Sequence, residues 1–152
     1  MKNWFPKGKQ RIIPTYGKHE GVKLLGVLNY NTGNIYVEEH EKYDAQVFLD
    51  FLKNVLKQYP TGKILMILDN ARIHHAKLLQ GFLDTNKDRL ELWFLPPYSP
   101  NLNKIEGIWK WLKNSVVNNV FFHTRQKIQE AVREFVEWVN TMPLQVIDRL
   151  CA

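Results

Sequence analysis

The sequence predicts a single mixed α/β domain, and two observations lead to this expectation. Short apolar runs bounded by turn residues, typical of strands, alternate with longer segments whose apolar residues recur every three or four positions, typical of amphipathic helices. The 152 residues fit one domain, and a hydrophobic content of 45% with five Trp and eight Phe is ample for a core. Because no repeat or linker-like tract divides the chain, residues 1–152 are expected to fold as one unit.

The chain begins with an irregular segment and continues with a β-hairpin. Residues 4–15 mix basic residues with two prolines and indicate a loop or an edge segment. Residues 22–30 are rich in apolar residues, residues 31–33 (NTG) form a turn signal, and residues 34–40 contain β-forming residues. This order predicts two antiparallel strands.

A helix and a buried strand follow the hairpin. Residues 44–59 carry apolar residues at helical spacing, and Pro60 and Gly62 end the pattern. Residues 63–68 (KILMIL) form a short apolar run, as expected for a strand that is buried on both faces.

The second half of the chain predicts one more strand and three helices. A helix is expected over residues 75–83 and a strand over residues 90–95. Residues 96–100 (PPYSP) form a rigid loop, and apolar residues at helical spacing predict helices over residues 103–118 and 124–140.

Composition narrows the classes of partner and compartment. The net charge of +6 and the pI near 9.4 suit a polyanionic partner, although many basic enzymes bind no nucleic acid. The single cysteine, Cys151, excludes an internal disulfide, and no apolar run approaches the length of a membrane span. A cytoplasmic protein, associated with the nucleoid when it binds DNA, is the expectation.

Two carboxylates are candidates for chemistry. Asp69 follows the apolar strand over residues 63–68, where open α/β sheets place ligands, although an Asp here also suits a turn or a helix cap. Glu106 falls in the first turn of the helix predicted after the proline-rich loop. Its alternative role is structural, because Asn103 and Glu106 have the spacing of a capping box.

The amino-acid sequence around both acids resembles that of a known family. Residues 68–76 read LDNARIHHA, and residues 94–113 read FLPPYSPNLNKIEGIWKWLK. These stretches resemble the DDE transposases of the mariner-like insertion-sequence superfamily, and a weaker match extends over residues 4–37. One departure is Lys104, where the family usually has Pro.

This resemblance implies a fold, a reaction and roles for the two acids. The implied fold is ribonuclease-H-like, with a mixed sheet flanked by helices. Asp69 is similar to the second catalytic carboxylate and Glu106 to the third, and two Mg²⁺ or Mn²⁺ ions bound by such acids cleave phosphodiesters. The implied substrates are transposon ends and target DNA.

The resemblance also implies that part of the site is missing. In the family, the first Asp lies on a first strand shortly before the segment that matches residues 4–37 of this chain. Only three residues precede Trp4 here, and none of them is acidic. The first strand, its Asp and the N-terminal helix-turn-helix region are therefore expected to be absent. We expect weak metal binding and little catalysis, because two carboxylates hold two cations poorly.

Two other functions stay open beside the transposase. One is a non-catalytic DNA-binding or assembly protein that inhibits a full-length transposase, and the other is a related nuclease. Glu38, Glu39 and Asp44 are possible replacements for the first Asp or else solvated surface acids. A homodimer, possibly strand-swapped, is expected, because a lost strand leaves unpaired backbone groups exposed.

Several neighbours of the two acids have suggested supporting roles. Asn70 and His74 either orient a metal-bound water or phosphate, or shape the turn and pack at the sheet edge. His75 is expected at the surface. On the helix that carries Glu106, the candidates for DNA contact are Lys104, Lys110, Lys113 and Trp111. The alternative is an ordinary solvated face with Trp109 in the core.

Overall fold

The computed structural model describes residues 22–97, 99, 102–117, 122 and 124–151 of the chain. The predicted loop over residues 4–15 lies outside these residues. In chain order the strands and helices are β1 Lys23–Leu28, β2 Ile35–His40, α1 Ala45–Gln58, β3 Ile64–Leu68, α2 Gln80–Thr85, β4 Leu90–Phe94, α3 Ile105–Leu112, α4 Arg125–Asn140 and α5 Pro143–Cys151.

The predicted hairpin is confirmed. β1 and β2 pair antiparallel, with Lys23 opposite His40 at the open end. The turn closes through hydrogen bonds that Asn29 and Gly33 donate to the carbonyl groups of Asn34 and Asn29. Gly33 has a φ of 81°, a conformation that favours glycine.

The second sheet is parallel and consists of β3 and β4, which run in register from Ile64 opposite Leu90 to Leu68 opposite Phe94. The two sheets are separate in the described part of the chain. A strand that is parallel to its neighbour needs a crossover connection, here made by residues 69–89.

The helix predicted over residues 75–83 is wrong for most of its length. Two 3₁₀ turns, Arg72–His75 and Lys77–Leu79, precede the short α2, and the extended backbone of Ala76 separates them. His74 and Leu79 are both buried. One α-helix would point residues five positions apart roughly 140° away from each other, so the two turns let both side chains reach the core.

The other helices agree more closely with the sequence. α1 begins after Asp44, whose side chain accepts from the N–H of Val47, and α4 begins after Thr124. α3 passes into a π-helical turn at Lys113–Val117 instead of continuing as one regular helix. The sequence prediction missed α5, although Pro143 is typical of a first helical position.

Two hydrophobic clusters stabilise the fold on opposite faces of the hairpin. One joins α1 to β3, β4 and the inner face of the hairpin, and the other joins β2 to α3, α4 and α5. Asn140 of α4 fixes the outer edge of β2, because its side chain accepts from the N–H of Ile35 (2.8 Å) and donates to the carbonyl of the same residue (2.9 Å). In the described part of the chain, no helix is long and apolar enough to cross a bilayer.

Candidate active site in the groove between the sheets

A groove of about 810 Å³ separates β1 from β3. Residues of both strands line it along their whole length, and Phe48, Phe51 and Val55 of α1 contribute apolar walls. Ile105 and Trp109 of α3 contribute further apolar surface. The polar residues that line the groove include both predicted catalytic acids, Asp69 and Glu106, together with Tyr43, His74 and Asn103.

Asp69 lies where the sequence predicted, directly after β3, and it is exposed to solvent. Its Oδ1 accepts a hydrogen bond of 3.2 Å from the N–H of Ala71. The turn-forming role considered for this residue is therefore present in the structure. It leaves Oδ2 without a protein hydrogen bond among the described residues.

His74 holds Asp69 in place. Its ring is 7% exposed and lies 4.4 Å from the ring of Phe48. Nδ1 lies 3.0 Å from the carbonyl oxygen of Asp69 and 3.1 Å from Oδ1, while Nε2 lies 3.0 Å from the hydroxyl of Tyr43. Because both ring nitrogens have protein partners, His74 is suited to positioning Asp69.

Tyr43 is a site residue that the sequence reasoning missed. Burial, followed by the nearby charge of Asp69, raises the pKa of Tyr43 to about 12, so its hydroxyl remains a hydrogen-bond donor at neutral pH. A carbonyl oxygen can only accept, which places a proton on Nδ1 of His74; in the neutral ring, Nε2 then accepts from Tyr43. No local motif marks this tyrosine, since its partner is distant in sequence.

Asn70 and His75 form a pair on the outside of the same turn. Asn70 Oδ1 and His75 Nε2 are hydrogen-bonded, and the ring of His75 lies 4.2 Å from that of Phe94. His75 is exposed, as predicted. Of the two roles considered for Asn70, this contact agrees with turn formation.

Glu106 lies in the first turn of α3, lines the groove and is exposed. The capping-box alternative is wrong, because the N-cap position is Lys104 and no side chain caps the helix. Asn103 contributes only its carbonyl, which accepts from the N–H of Glu106 at 3.1 Å. The carboxylate of Glu106 is therefore not engaged in capping.

The three acids considered as replacements have other partners. Asp44 accepts from Lys42 and, as the cap of α1, from the N–H of Val47; in that order these bonds hold the pKa of Asp44 below its usual value. Glu39 pairs with Arg133, and Glu38 accepts hydrogen bonds from Tyr36 and from Asn54 of α1. None of the three lines the groove. Glu38 and Glu39 are partly buried, so the alternative of solvated surface acids is also wrong for them.

A cluster of three metal-binding side chains is not found among the residues that the structure describes. The two carboxylates that line the groove nevertheless suit a hard cation, because Asp69 and Glu106 are exposed and offer oxygen atoms as donors. These two carboxylates fit Mg²⁺ or Mn²⁺ as part of a site.

The residues predicted to contact DNA differ in their exposure to solvent. Lys110 and Lys113 are exposed, and Lys104 is partly buried. The expectation that Trp111 is available at the surface is wrong: it is 9% exposed, packs edge-on against Phe135 and lies under the guanidinium of Arg149. α3 contacts both β1 and α4, so it buries more than one face, and Trp111 belongs to the face toward α4.

Known proteins that resemble the chain include an insertion-element protein. The family model described as DDE superfamily endonuclease matches residues 1–133. The insertion element IS630 uncharacterized 39 kDa protein of Shigella sonnei is 28% identical over 142 residues, which are 93% of this chain and 41% of that protein. The dermonecrotic toxin LruSicTox-alphaIC1a of Loxosceles rufescens is 32% identical over 91 residues, 56% of this chain and 32% of the toxin.

A solved structure is similar over nearly the whole chain. It is the Mos1 transposase paired-end complex with left transposon end, at a TM-score of 0.67 and 15% identity, covering 99% of this chain and 49% of that one. The likeness confirms the ribonuclease-H-like α/β fold expected from the sequence. The chain spans less than half the length of these relatives.

Proposed function

Since the chain belongs to the DDE superfamily endonucleases, we propose that it provides part of a catalytic site for DNA strand cleavage and transfer at the ends of an insertion element. The resemblance to mariner-like transposases is confirmed by the family match and the IS630 relative. The observation that carries the proposal is that Asp69 and Glu106, from two different elements, line one groove.

The proposed reaction is hydrolysis of a DNA strand, after which the freed 3′-hydroxyl attacks target DNA. Two divalent ions would neutralise charge on the phosphate and activate the attacking oxygen. Asp69 and Glu106 would hold them as oxygen ligands. His74, itself hydrogen-bonded to Tyr43, keeps the Asp69 carboxylate in one orientation. Lys110 and Lys113 attract the phosphate backbone from the exposed side of α3.

The proposal includes low activity of this chain by itself. Two carboxylates neutralise only part of the repulsion between two divalent cations. A further acid at the carboxyl end of β3 would complete the site, and the other acids considered are engaged elsewhere.

Two measurements test this function: Mn²⁺ binding by calorimetry, and nicking of supercoiled plasmid in Mn²⁺. We expect weak binding that Asp69→Asn and Glu106→Gln each abolish, and that Asp88→Asn, an exposed aspartate outside the groove, leaves unchanged. Two tight Mn²⁺ sites would contradict the incomplete site. Binding that survives Asp69→Asn would contradict the role of Asp69.

A non-catalytic DNA-binding or assembly role is the second candidate. It is favoured by the exposed Lys110 and Lys113 of α3, which suit contact with a phosphate backbone without any metal. The two candidates differ in the outcome of two measurements. The non-catalytic role would be favoured if Asp69→Asn left DNA binding unchanged and if the chain did not nick DNA even after a further acidic residue was supplied.

A further inference from the structure

The outer edge of β2, on the side away from β1, has no neighbouring strand in the described part of the chain. Asn29 donates to the carbonyl of Asn34, which lies directly opposite it in the hairpin, so the even-numbered residues of β2 bond to β1. The N–H and C=O groups of the odd-numbered residues therefore point away from β1. These residues are Ile35, Val37 and Glu39.

The side chain of Asn140 supports this assignment at Ile35. It accepts from the N–H of Ile35 and donates to the carbonyl of the same residue, which are the two bonds that an antiparallel strand partner exchanges. Val37 and Glu39 form no such bonds within the described ranges. α4 therefore occupies the edge at Ile35, and the free part of the edge begins at Val37.

A crevice of about 130 Å³ lies beside this free edge, between β2 and α4. Three valines form its apolar lining, and its charged residues are Glu39, Arg133 and Glu137. Two carboxylates and one guanidinium give the crevice a net negative charge, although the whole chain carries +6. An apolar lining with a negative rim suits a basic side chain, because Lys and Arg pack their aliphatic stems against apolar surface.

Glu39 contributes an unpaired oxygen to the crevice. Its side chain is 12% exposed, and Oε2 accepts from Arg133 at 3.0 Å. Oε1 is buried and has no hydrogen-bond partner among the residues that the structure describes. A buried carboxylate oxygen without a donor costs free energy, and a cationic donor that reaches it forms a charge-assisted hydrogen bond. The unpaired oxygen therefore favours a basic side chain next to the free edge.

We propose that the free edge of β2 binds an extended, basic segment of another protein as an added strand of about five residues. The segment runs antiparallel to β2, since antiparallel pairing is slightly more stable per residue. Its residue opposite Glu39 is Arg or Lys and reaches Oε1, and its residue opposite Val37 is aliphatic and covers the valines of the crevice. The segment ends before Ile35, where the Asn140 side chain occupies the edge.

DNA and a second copy of this chain are poorer occupants of this edge. The negative crevice repels phosphates, so this surface is distinct from the lysines proposed to contact DNA. Two copies of β2 paired through both Val37 and Glu39 would place Glu38 directly opposite Glu38 of the other copy, and like charges at such positions destabilise pairing. That arrangement would also place Val37, which offers no cation, opposite Glu39.

The first test uses the full chain and a fluorescein-labelled, amidated peptide, Lys-Thr-Arg-Thr-Val, with binding followed by fluorescence anisotropy. Antiparallel pairing places its Arg opposite Glu39 and its Val opposite Val37. N-methyl groups on the third and fifth residues remove donors that face β2 and should weaken binding at least about tenfold, whereas N-methyl groups on the second and fourth residues face away and should change it little. Equal binding of the two N-methylated peptides would overturn strand addition.

Amide hydrogen exchange tests where the peptide lies. We expect slower exchange at Val37 and Glu39 on binding and no change at Tyr36 and Glu38, which already bond to β1. Binding without slower exchange at Val37 and Glu39 would overturn the proposal. Slow exchange at these two residues before the peptide is added, in a chain of monomeric mass, would assign the edge to another part of this chain and would also overturn it.

Three chain variants test the charge of the crevice. Glu39→Gln should weaken peptide binding at least about tenfold, because it removes the charge at the buried oxygen. Glu137→Gln, at an exposed residue whose replacement leaves folding intact, should weaken it about threefold. Glu134→Gln is the control, since Glu134 is exposed on α4 outside the crevice, and it should leave binding unchanged. Equal effects of Glu134→Gln and Glu137→Gln would refute specific recognition in the crevice.

Light scattering separates the proposed partner from a second copy. We expect the mass of the chain without peptide to be unaffected by Val37→Pro, which removes an outward N–H but no bond to β1. A doubled mass that Val37→Pro returns to the monomer value would assign the edge to a second copy and overturn the proposal. These assays contain neither metal nor DNA, so their outcome is independent of the proposed catalysis.

Discussion

Replacement of His74 by phenylalanine separates its hydrogen bonds from its packing. The aromatic ring that lies 4.4 Å from Phe48 remains, but the bonds to Asp69 and to the Tyr43 hydroxyl are lost. Each hydrogen bond contributes about 1 kcal/mol, and both partners reach solvent, so His74→Phe should lower the free energy of unfolding by about 1 to 2 kcal/mol. His74→Ala also leaves a cavity, which should cost about 2 kcal/mol more.

The assay is urea unfolding followed by tryptophan fluorescence, with His75→Phe as the matched control. His75 is exposed, so its replacement should change stability by less than about 0.5 kcal/mol. Mn²⁺ binding to His74→Phe should also weaken, because the Asp69 carboxylate loses its orienting partner, by about tenfold. A His74→Phe protein with the stability and Mn²⁺ affinity of the original chain would refute the positioning role.

Three further predictions follow from single features of the structure. In urea unfolding, Gly33→Ala should lower the free energy of unfolding by at least about 2 kcal/mol more than Gly62→Ala does. Both glycines have a positive φ, but a Cβ at Gly33 would lie 1.9 Å from the carbonyl oxygen of Pro143, whereas a Cβ at Gly62 would meet no atom within 4 Å. Replacing both Lys110 and Lys113 with Glu should weaken DNA binding. It should also reduce the magnitude of the slope of log affinity against log salt concentration by about two, which titrations at several salt concentrations would measure. Tyr43, whose pKa is raised to about 12 by burial, stabilises the fold fully below pH 10 and loses this contribution as pH rises to about 12. Tyr43→Phe should reduce the pH dependence of unfolding in that window, and the remainder should come from Tyr36, whose pKa burial also raises to about 12.

The sequence predicted the parts of the fold that depend on local pattern. The turn at residues 31–33 gave the hairpin, and the apolar run before Asp69 gave the parallel strand that positions this acid. Both signals are local, because turn residues and apolar runs are found among neighbouring residues. The expectation that this strand is buried on both faces is wrong, because Leu65 and Ile67 are each 47% exposed. The predictions for Asp69 and Glu106 as metal ligands depend on the resemblance to a family and stay predictions.

Long-range contacts account for what the sequence did not predict. The turns at residues 72–79 form because His74 and Leu79 are both buried in the core. The residues next to them in the sequence do not indicate that both side chains must face the core. Trp109 and Trp111 are two positions apart on α3, and helical periodicity alone does not decide which one is buried. The structure decides it through Phe135 and Arg149, which lie on elements distant from α3 in sequence.

The placement of Glu106 depends on two glycines that allow close contacts around α3. A Cβ on Gly26 of β1 would come within 2.7 Å of the indole of Trp109, so the absent side chain lets Trp109 lie across the strand. A Cβ on Gly107 would come within 2.5 Å of Leu150, so α5 packs directly beside the residue after Glu106. α3 is therefore held between a groove wall and α5, and the position of Glu106 in the groove is set by contacts on both sides of it.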